Sequence, residues 1–341
     1  MAPLKNRQWL LAARPQGMVK ESDFRWHETT VDAPAEGQLL VRNLALSFDP
    51  TQRGWMSRDT YVPAVPLGQV MRAGAVAQVV ESRLEGFAPG DLVQGVFGWE
   101  DYTRTDGRGR FGLRKLAPGT DPLLALSLLG LTGLTAYFGT LEIGRPRPGE
   151  SFVVSGAAGA TGSVAGMIAK LKGCRVVGIA GGQAKCDWLI SEAGFDLAID
   201  YKREDVGQAL SRHCPDGINV YFDNVGGAIL DLALERLAPA ARVVLCGAIS
   251  QYNEPAGPAA RPPRNYFYLI WRGARMEGFL VTQFAARFPE ALADLSAWHG
   301  QGRLKNRIDL QHGLENAPRT LIRLFTGDNF GKQLLKLADP R

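Results

Sequence analysis

Cysteine and histidine are both scarce in this chain of 341 residues, which contains four of each. No two cysteines have the C-x-x-C spacing; they are Cys174, Cys186, Cys214 and Cys246. A catalytic zinc needs about three or four Cys, His or carboxylate ligands in one place. Residues 1–120 contain no cysteine and a single histidine, His27. We therefore predict no metal site of the usual zinc form, and reduced thiols as in cytoplasmic proteins.

Long apolar runs and targeting signals are also lacking. The first fifteen residues contain only a short apolar stretch, so we expect no signal peptide and a cytoplasmic location. The longest apolar run, residues 122–144, approaches the length of a membrane span. Because it carries serine, threonine and glycine residues throughout, we predict a buried helix and no membrane contact.

A concentrated basic region is missing too, although lysine and arginine number 39 against 34 acidic residues. The densest basic cluster, residues 108–115, is short, and the other charges are scattered. Proteins that bind nucleic acids usually gather their basic residues on one face or one helix. We therefore interpret the charge as a solvated basic surface and expect no nucleic-acid partner.

The pattern of secondary structure divides the chain into two parts. Residues 1–120 contain β-branched runs broken by glycine and proline, which predicts a compact β-barrel-like domain. From Pro148, apolar strands alternate with helical segments, which indicates an α/β fold with a doubly wound parallel sheet. The predicted strands are 151–156, 175–180, 197–201, 220–225, 242–247 and 276–281. The proline-rich segment 250–266 follows a strand, so we place it at the ligand-binding edge.

A glycine-rich turn follows the first of these strands. It reads Gly156-Ala-Ala-Gly159-Ala-Thr-Gly162, a close variant of the dinucleotide-binding fingerprint. The first glycine allows a sharp turn, and the second lets the backbone approach a pyrophosphate. The third lets the helix pack closely on the strand. Amides and the dipole at the start of the helix then favour the anion.

An acidic residue is missing where the second strand ends. NAD sites usually place Asp or Glu there, to bind the ribose 2′-hydroxyl. This chain has residues 180–184 as Ala-Gly-Gly-Gln-Ala, followed by Lys185, and its first acid is Asp187. An acid would repel a 2′-phosphate, whereas Lys185 attracts it. We therefore predict NADPH rather than NADH as the cofactor.

Several segments match one known family in content and in order. They are 47–57, 65–82, 131–139, 155–166, 171–186, 220–227, 246–253, 275–281 and 327–332. Through them the chain resembles the zinc-independent medium-chain dehydrogenase/reductases, within them the prostaglandin reductase (leukotriene B4 dehydrogenase) and curcumin reductase group. The resemblance implies a chaperonin-10-like substrate domain, residues 1–125 completed by 308–341. It also implies a Rossmann NADP-binding domain, residues 126–307, and a homodimer.

The resemblance further implies an NADPH-dependent reductase of carbon–carbon double bonds conjugated to a carbonyl, and it assigns the cofactor site. The pyrophosphate would lie on Gly159, Ala160, Thr161 and Gly162. The 2′-phosphate would contact Lys185 and Tyr201; the alternative for Tyr201 is a packing role at the end of its strand. The cleft and its nicotinamide side would be lined by Asn224, Cys246, Gly247, Ala248, Ile249, Ser250, Tyr252, Phe279, Leu280, Val281 and Asn329.

Two tyrosines are the candidates for contact with the substrate. Hydride transfer to the β-carbon leaves an enolate, which needs a hydrogen-bond donor where no zinc is present. We assign this catalytic role to Tyr252, since a phenol of pKa about 10 donates while it stays neutral. Tyr61 matches a substrate-contacting tyrosine of some relatives. The alternatives are that Tyr252 only packs in its loop and that Tyr61 is a surface aromatic.

Two departures from the family pattern bear on the substrate. Thr51 stands where prostaglandin reductases usually have a tyrosine, and Trp271 stands where mammalian relatives have another. Prostaglandins are therefore not supported as substrates. Two further hypotheses remain open: an NADPH-dependent quinone oxidoreductase, and a non-catalytic protein that binds nucleotides or RNA.

Overall fold

The computed structural model describes residues 4–109, 111–254 and 263–341. The chain divides into two compact units, Met1–Ser127 with Ile308–Arg341, and Leu128–Arg307. Over the described ranges the strands are β1 (Leu4–Leu11), β2 (Phe24–Val31), β3 (Leu39–Ser47), β4 (Arg72–Ser82), β5 (Leu92–Gly98), β6 (Tyr102–Thr105), β7 (Arg114–Lys115), β8 (Ser151–Ser155), β9 (Arg175–Ala180), β10 (Leu197–Asp200), β11 (Ile218–Asp223), β12 (Leu237–Leu245), β13 (Arg275–Gly278), β14 (Ile308–His312) and β15 (Lys332–Lys336).

Over the same ranges the α-helices are α1 (Gln52–Trp55), α2 (Pro122–Leu126), α3 (Leu131–Phe138), α4 (Ala160–Leu171), α5 (Gln183–Ser191), α6 (Val206–His213), α7 (Gly227–Leu234), α8 (Phe267–Arg272), α9 (Phe288–Gly300) and α10 (Ala317–Thr326). A π-helical segment, Gly139–Gly144, continues α3. Short 3₁₀ turns occupy Glu21–Asp23, Ile249–Gln251, Val281–Arg287 and Leu314–Asn316.

The first unit is rich in β-sheet. Its main sheet has the order β14-β15-β3-β4-β5-β7, with β6 also paired to β3, and β1 pairs β2 separately. β15 pairs antiparallel with β3, so strands from the two separate segments of this unit belong to one sheet. Leu321 on α10 and Leu335 on β15 are fully buried in the core that also contains Trp99. The C-terminal segment is therefore an integral part of this unit.

The second unit contains a parallel sheet of the order β10-β9-β8-β11-β12-β13 among the described residues. In chain order these are strands 3-2-1-4-5-6 of the unit, which is the Rossmann arrangement. The apolar strand residues are buried on both faces; examples are Val153, Val177, Tyr221 and Val243. The predicted fold class, a Rossmann unit together with a sheet-rich unit, is confirmed.

Several predicted boundaries differ from the structure, most of all at β12, which spans Leu237–Leu245 where residues 242–247 were predicted. β11 begins at Ile218, two residues before the predicted start, and β13 ends at Gly278, so residues 279–281 follow the strand. The carboxyl-terminal end of β12 leads into residues 246–254, as the sequence predicts. The remainder of the proline-rich segment includes residues 255–262, which lie outside the described residues.

The prediction of one buried helix over residues 122–144 was wrong. The run contains α2, a non-helical link, α3 and the π-helical segment. Ser127 and Gly130 have non-helical backbone angles, and a Cβ at Gly133 would lie 1.8 Å from the Leu128 carbonyl oxygen. The link therefore folds tightly against the first turn of α3. Within the described ranges, no helix has both the length and the apolar character that a membrane crossing requires.

Candidate cofactor site

The crevice of the second unit lies where its strand order reverses. β8 and β11 are neighbours in the sheet although β9 and β10 lie between them in the chain. Ligands of open α/β sheets bind outside the carboxyl ends of the strands at such a point. Ser155 ends β8 and Asp223 ends β11, and the Ser155 hydroxyl donates to Asp223 Oδ1 at 2.9 Å. Sequence analysis did not single out either residue, although each is a polar residue at the end of an apolar strand.

The glycine-rich turn leaves the sheet at this point. Gly156 has φ of +60°, which allows the sharp turn, and its carbonyl accepts from the Gly159 amide at 3.0 Å. A Cβ at Gly162 would lie 2.4 Å from the Gly156 oxygen, so only glycine fits there. Gly159 is the N-cap of α4, whose first-turn amides include those of Ala160 and Thr161. The residues therefore present helix amides where a pyrophosphate can bind.

The end of β9 forms a second part of the site. Gly181 lies under the ring of Tyr201, since a Cβ there would be 2.8 Å from three Tyr201 ring and hydroxyl atoms. The adjacent Gly182 amide donates to Asp200 Oδ1 at 2.8 Å, and Lys185 lies in the first turn of α5. The structure therefore brings the backbone around Lys185 close to Tyr201, at the ends of β9 and β10.

An acidic residue, Asp200, does lie beside the end of β9, and sequence analysis overlooked it. It lies at the end of the neighbouring strand β10 and is 4% exposed. Its Oδ1 accepts from the amides of Gly182 and Lys202. Asp200 therefore serves to hold the loop between β9 and α5. Asp200 could have been identified from the sequence because it is an acidic residue at the end of the apolar strand 197–200. The same pattern, an acid that ends an apolar strand, applies to Asp223.

The loop after β12 is fastened to the turn after β11. The amides of Cys246 and Gly247 both donate to the Asp223 carbonyl, at 2.9 and 3.0 Å. The Ile249 amide donates to the Asn224 carbonyl, while the Asn224 side chain donates to the Ser155 carbonyl at 2.7 Å. Ser250 bonds through its amide and hydroxyl to Val225. The predicted residues 224 and 246–250 therefore form one connected edge.

The side chain of Tyr252 packs against the backbone of this loop. Its hydroxyl oxygen accepts from the Ala248 amide at 3.2 Å, and a Cβ at Gly247 would lie 3.1 Å from the same oxygen. The backbone of Gly247 and Ala248 therefore lies against the Tyr252 hydroxyl.

The remaining predicted residues lie elsewhere in their units. In the second unit, a Cβ at Gly139 would lie 2.7 Å from the Phe279 ring, and the Leu280 amide donates to Gln283. Leu280 is the N-cap of the 3₁₀ turn that Val281 begins. Asn329 belongs to the first unit, where its side chain donates to the Gly331 carbonyl at 3.3 Å.

Tyr61 also belongs to the first unit. Its hydroxyl is 2.8 Å from Thr51 Oγ1, and its ring meets Phe111 edge to face at 6.3 Å. Thr51, which stands where prostaglandin reductases usually have a tyrosine, is therefore a hydrogen-bond partner of Tyr61. Trp271, the other departure, is 68% exposed on α8 and contacts the Tyr268 ring at 5.0 Å.

Burial changes the pKa of several groups in the second unit. It raises the pKa of Asp223, an effect opposed by hydrogen bonds from Gly226, Val225, Ser155 and Tyr221. Burial also raises the pKa of the Cys174, Cys186 and Cys214 thiols to about 11. Burial, and to a smaller extent the nearby Asp223 carboxylate, raises the pKa of the Cys246 thiol to about 12.

We expect all four cysteines to resist alkylation at pH 8, because the thiolate is the reactive form. A pKa raised above the ordinary value of about 8.5 keeps the thiol protonated until the pH approaches the new value. Iodoacetamide labelling followed by mass spectrometry should be at least about 100-fold slower for the native protein than for the urea-unfolded chain. Rapid labelling of any one cysteine at pH 8 would contradict this.

Metal ligands are not gathered in the part of the chain that the structure describes. No group of three or more His, Cys, Asp or Glu side chains there is placed to hold an ion.

Comparison with known proteins identifies the family. A model described as the N-terminal domain of oxidoreductase matches residues 7–113, and one described as zinc-binding dehydrogenase matches residues 160–297. The NADPH-dependent curcumin reductase of Escherichia coli strain K12 is 41% identical over 98% of this chain and 97% of its own. The NADP⁺-dependent 2-alkenal reductase of Nicotiana tabacum is 39% identical over 98% of each chain.

A solved structure supports the same family assignment. CurA from Vibrio vulnificus, crystallised in complex with NADPH, has 39% identity and a TM-score of 0.92, over 98% of this chain and 100% of that one. The chain belongs to the medium-chain dehydrogenase/reductases, in their zinc-independent, NADP-dependent branch. It is an NADP-dependent oxidoreductase, and the NADPH predicted from Lys185 and the missing acid is confirmed as its cofactor.

Proposed function

We propose that the protein reduces the carbon–carbon double bond of α,β-unsaturated ketones and aldehydes. The names of the Escherichia coli and Nicotiana tabacum relatives support this substrate class. Within the chain, the observation that carries the proposal is the Tyr252 hydroxyl, held by the Ala248 amide in the loop after β12. It supplies a neutral hydrogen-bond donor at the edge of the sheet where the cofactor binds.

The residues of the second unit fit NADPH. Glycine at 162 lets the first turn of α4 pack against Gly156, and glycine at 181 lets the chain pass beneath Tyr201, because a Cβ at either position would clash. Lys185 supplies a positive charge for the 2′-phosphate, and the α4 amides supply donors for the pyrophosphate. When bound, NADPH supplies the hydride that adds to the β-carbon of the substrate.

Tyr252 then acts on the charge that the hydride creates. Addition at the β-carbon moves the electron pair of the double bond toward the carbonyl oxygen, as an enolate. A hydrogen bond donated from Tyr252 stabilises this oxygen more strongly as its charge grows, which lowers the barrier. Uptake of a proton at the α-carbon completes the saturated carbonyl product. Tyr61, hydrogen-bonded to Thr51, is proposed to contact the rest of the substrate.

Anaerobic NADPH oxidation tests the proposal. The acceptors are 2-alkenals, 3-buten-2-one-type enones and 1,4-quinones, each assayed with NADPH and with NADH, with product analysis by mass spectrometry. We expect saturated products that retain the carbonyl, with NADPH strongly preferred. Turnover of quinones alone would replace the proposal by a quinone oxidoreductase, and turnover of none of these acceptors would refute the proposed substrate class.

The homodimer stays a prediction. In the described part of the sheet β13 has one strand neighbour, β12, and Ile270 and Trp271 on α8 are 69% and 68% exposed. An open strand edge beside exposed apolar side chains is a suitable surface for a second copy. Light scattering measures the mass directly, and a value near 37.0 kDa would show a monomer.

A further inference from the structure

A buried carboxylate connects three strand ends at the cofactor crevice. Asp223 and Ser155 are both fully buried, and their 2.9 Å hydrogen bond joins the end of β11 to the end of β8. The Asp223 carbonyl accepts the amides of Cys246 and Gly247, which follow β12. One residue therefore connects the strand that carries the pyrophosphate turn with the loop that carries Tyr252.

The carboxylate also shapes the turn that follows it. Asp223 Oδ1 accepts from the Val225 amide at 3.1 Å and from the Gly226 amide at 3.0 Å. Gly226 has φ of +69°, and a Cβ there would lie 3.0 Å from the Ala248 Cβ. The turn is therefore held in a conformation that allows the loop after β12 to approach it closely.

From this geometry we propose that Asp223, acting with Ser155, is a positioning residue that fixes the pyrophosphate turn relative to the nicotinamide-side loop. The proposal concerns the binding of NADPH and does not depend on which acceptor is reduced. It goes beyond the proposed reaction, since a failure to find enone turnover would leave it unaffected.

The adenosine end of the site has a separate support. The Gly182 amide and the loop before Lys185 are held by Asp200, at the end of β10. Two different carboxylates therefore support the two halves of the dinucleotide site. A ligand that spans the crevice should depend on Asp223, whereas a ligand confined to the adenosine end should not.

The test compares NADPH with adenosine 2′,5′-bisphosphate, which carries the 2′-phosphate but lacks the nicotinamide half. In Asp223→Asn an amide replaces one carboxylate oxygen, so an N–H group faces donors such as the Gly226 amide. Ser155→Ala removes the bridging hydroxyl, which also accepts from the Asn224 amide at 2.9 Å. We expect the NADPH Kd to rise about 10- to 100-fold in Asp223→Asn, and about fivefold in Ser155→Ala, with the bisphosphate Kd within about twofold.

Controls separate positioning from general disturbance of the fold. Tyr137→Phe removes a hydroxyl that donates to another carboxylate of the second unit, Asp294, at 2.6 Å, and its NADPH Kd should stay within about twofold. Asp200→Asn should weaken the bisphosphate as much as NADPH. An equal loss of both ligands in Ser155→Ala, or no change in its NADPH Kd, would overturn the proposal. Because Ser155→Ala deletes a single buried atom, it remains informative if Asp223→Asn fails to fold.

Discussion

Replacing Lys185 by glutamate is expected to raise the KM for NADPH about 100-fold while the KM for NADH stays within about threefold. Lys185 lies in the first turn of α5, beside the loop under Tyr201. A hydrogen bond to a charged group contributes about 1.5–3 kcal/mol, and the new carboxylate also repels the 2′-phosphate. Steady-state kinetics with both cofactors and one acceptor measures the ratio.

Lys172→Glu is the matched control for this experiment. It makes the same change of charge at an exposed residue. Lys172 is the C-cap of α4 and therefore lies at the end of this helix away from the glycine-rich turn. Its two KM values should remain near those of the unchanged protein. Equal increases for NADPH and NADH in Lys185→Glu would show that the substitution disturbs the site without acting on the 2′-phosphate.

Replacing Tyr252 by phenylalanine is expected to lower kcat about 100- to 1000-fold, the usual cost of removing one donor to a developing oxyanion. The phenyl ring is retained, so packing in the loop changes little. The Ala248 amide loses its acceptor, and a rise of about threefold in the NADPH Kd is expected from this loss. Single-turnover measurement of NADPH oxidation with an enone separates the chemical step from binding.

A second tyrosine provides the control for Tyr252. Tyr266→Phe removes a hydroxyl from a residue that is 49% exposed before α8, and kcat should be unchanged. If Tyr252→Phe keeps kcat within about twofold, the enolate oxygen takes its hydrogen bond from another group, and the catalytic assignment fails. If NADPH binding is lost while kcat at saturation is kept, Tyr252 serves the cofactor only.

Several site features could be predicted because they depend on neighbours in sequence. The glycine spacing at 156, 159 and 162 belongs to one strand, one turn and one helix, so its geometry is local. The missing acid and Lys185 lie within six residues of the end of β9. The charges of the residues that follow β9 were therefore sufficient to predict NADPH rather than NADH.

Other features could not be predicted because they join distant parts of the chain. Ser155 and Asp223 are 68 positions apart, and Gly182 and Asp200 are 18 apart. A polar residue at the end of an apolar strand was visible in each case. Its partner depends on which strands are neighbours, and the strand order is a property of the folded sheet. The Thr51–Tyr61 hydrogen bond was missed because it requires the loop after α1 to fold back.

The error over residues 122–144 has a similar origin. Apolar composition indicates burial, but it does not show whether a buried segment is one helix or several. The break before α3 depends on backbone angles at Ser127 and Gly130 and on the close approach of Leu128 to Gly133.

By itself the sequence determined the α/β class, the dinucleotide turn and the preference for NADPH, because periodicity, glycine spacing and local charge act over a few residues. Only the tertiary structure decided that Asp223 and Asp200 anchor the two halves of the site. A buried carboxylate must find its donors wherever the sheet places them, and strand order brought those donors from segments far apart in the chain.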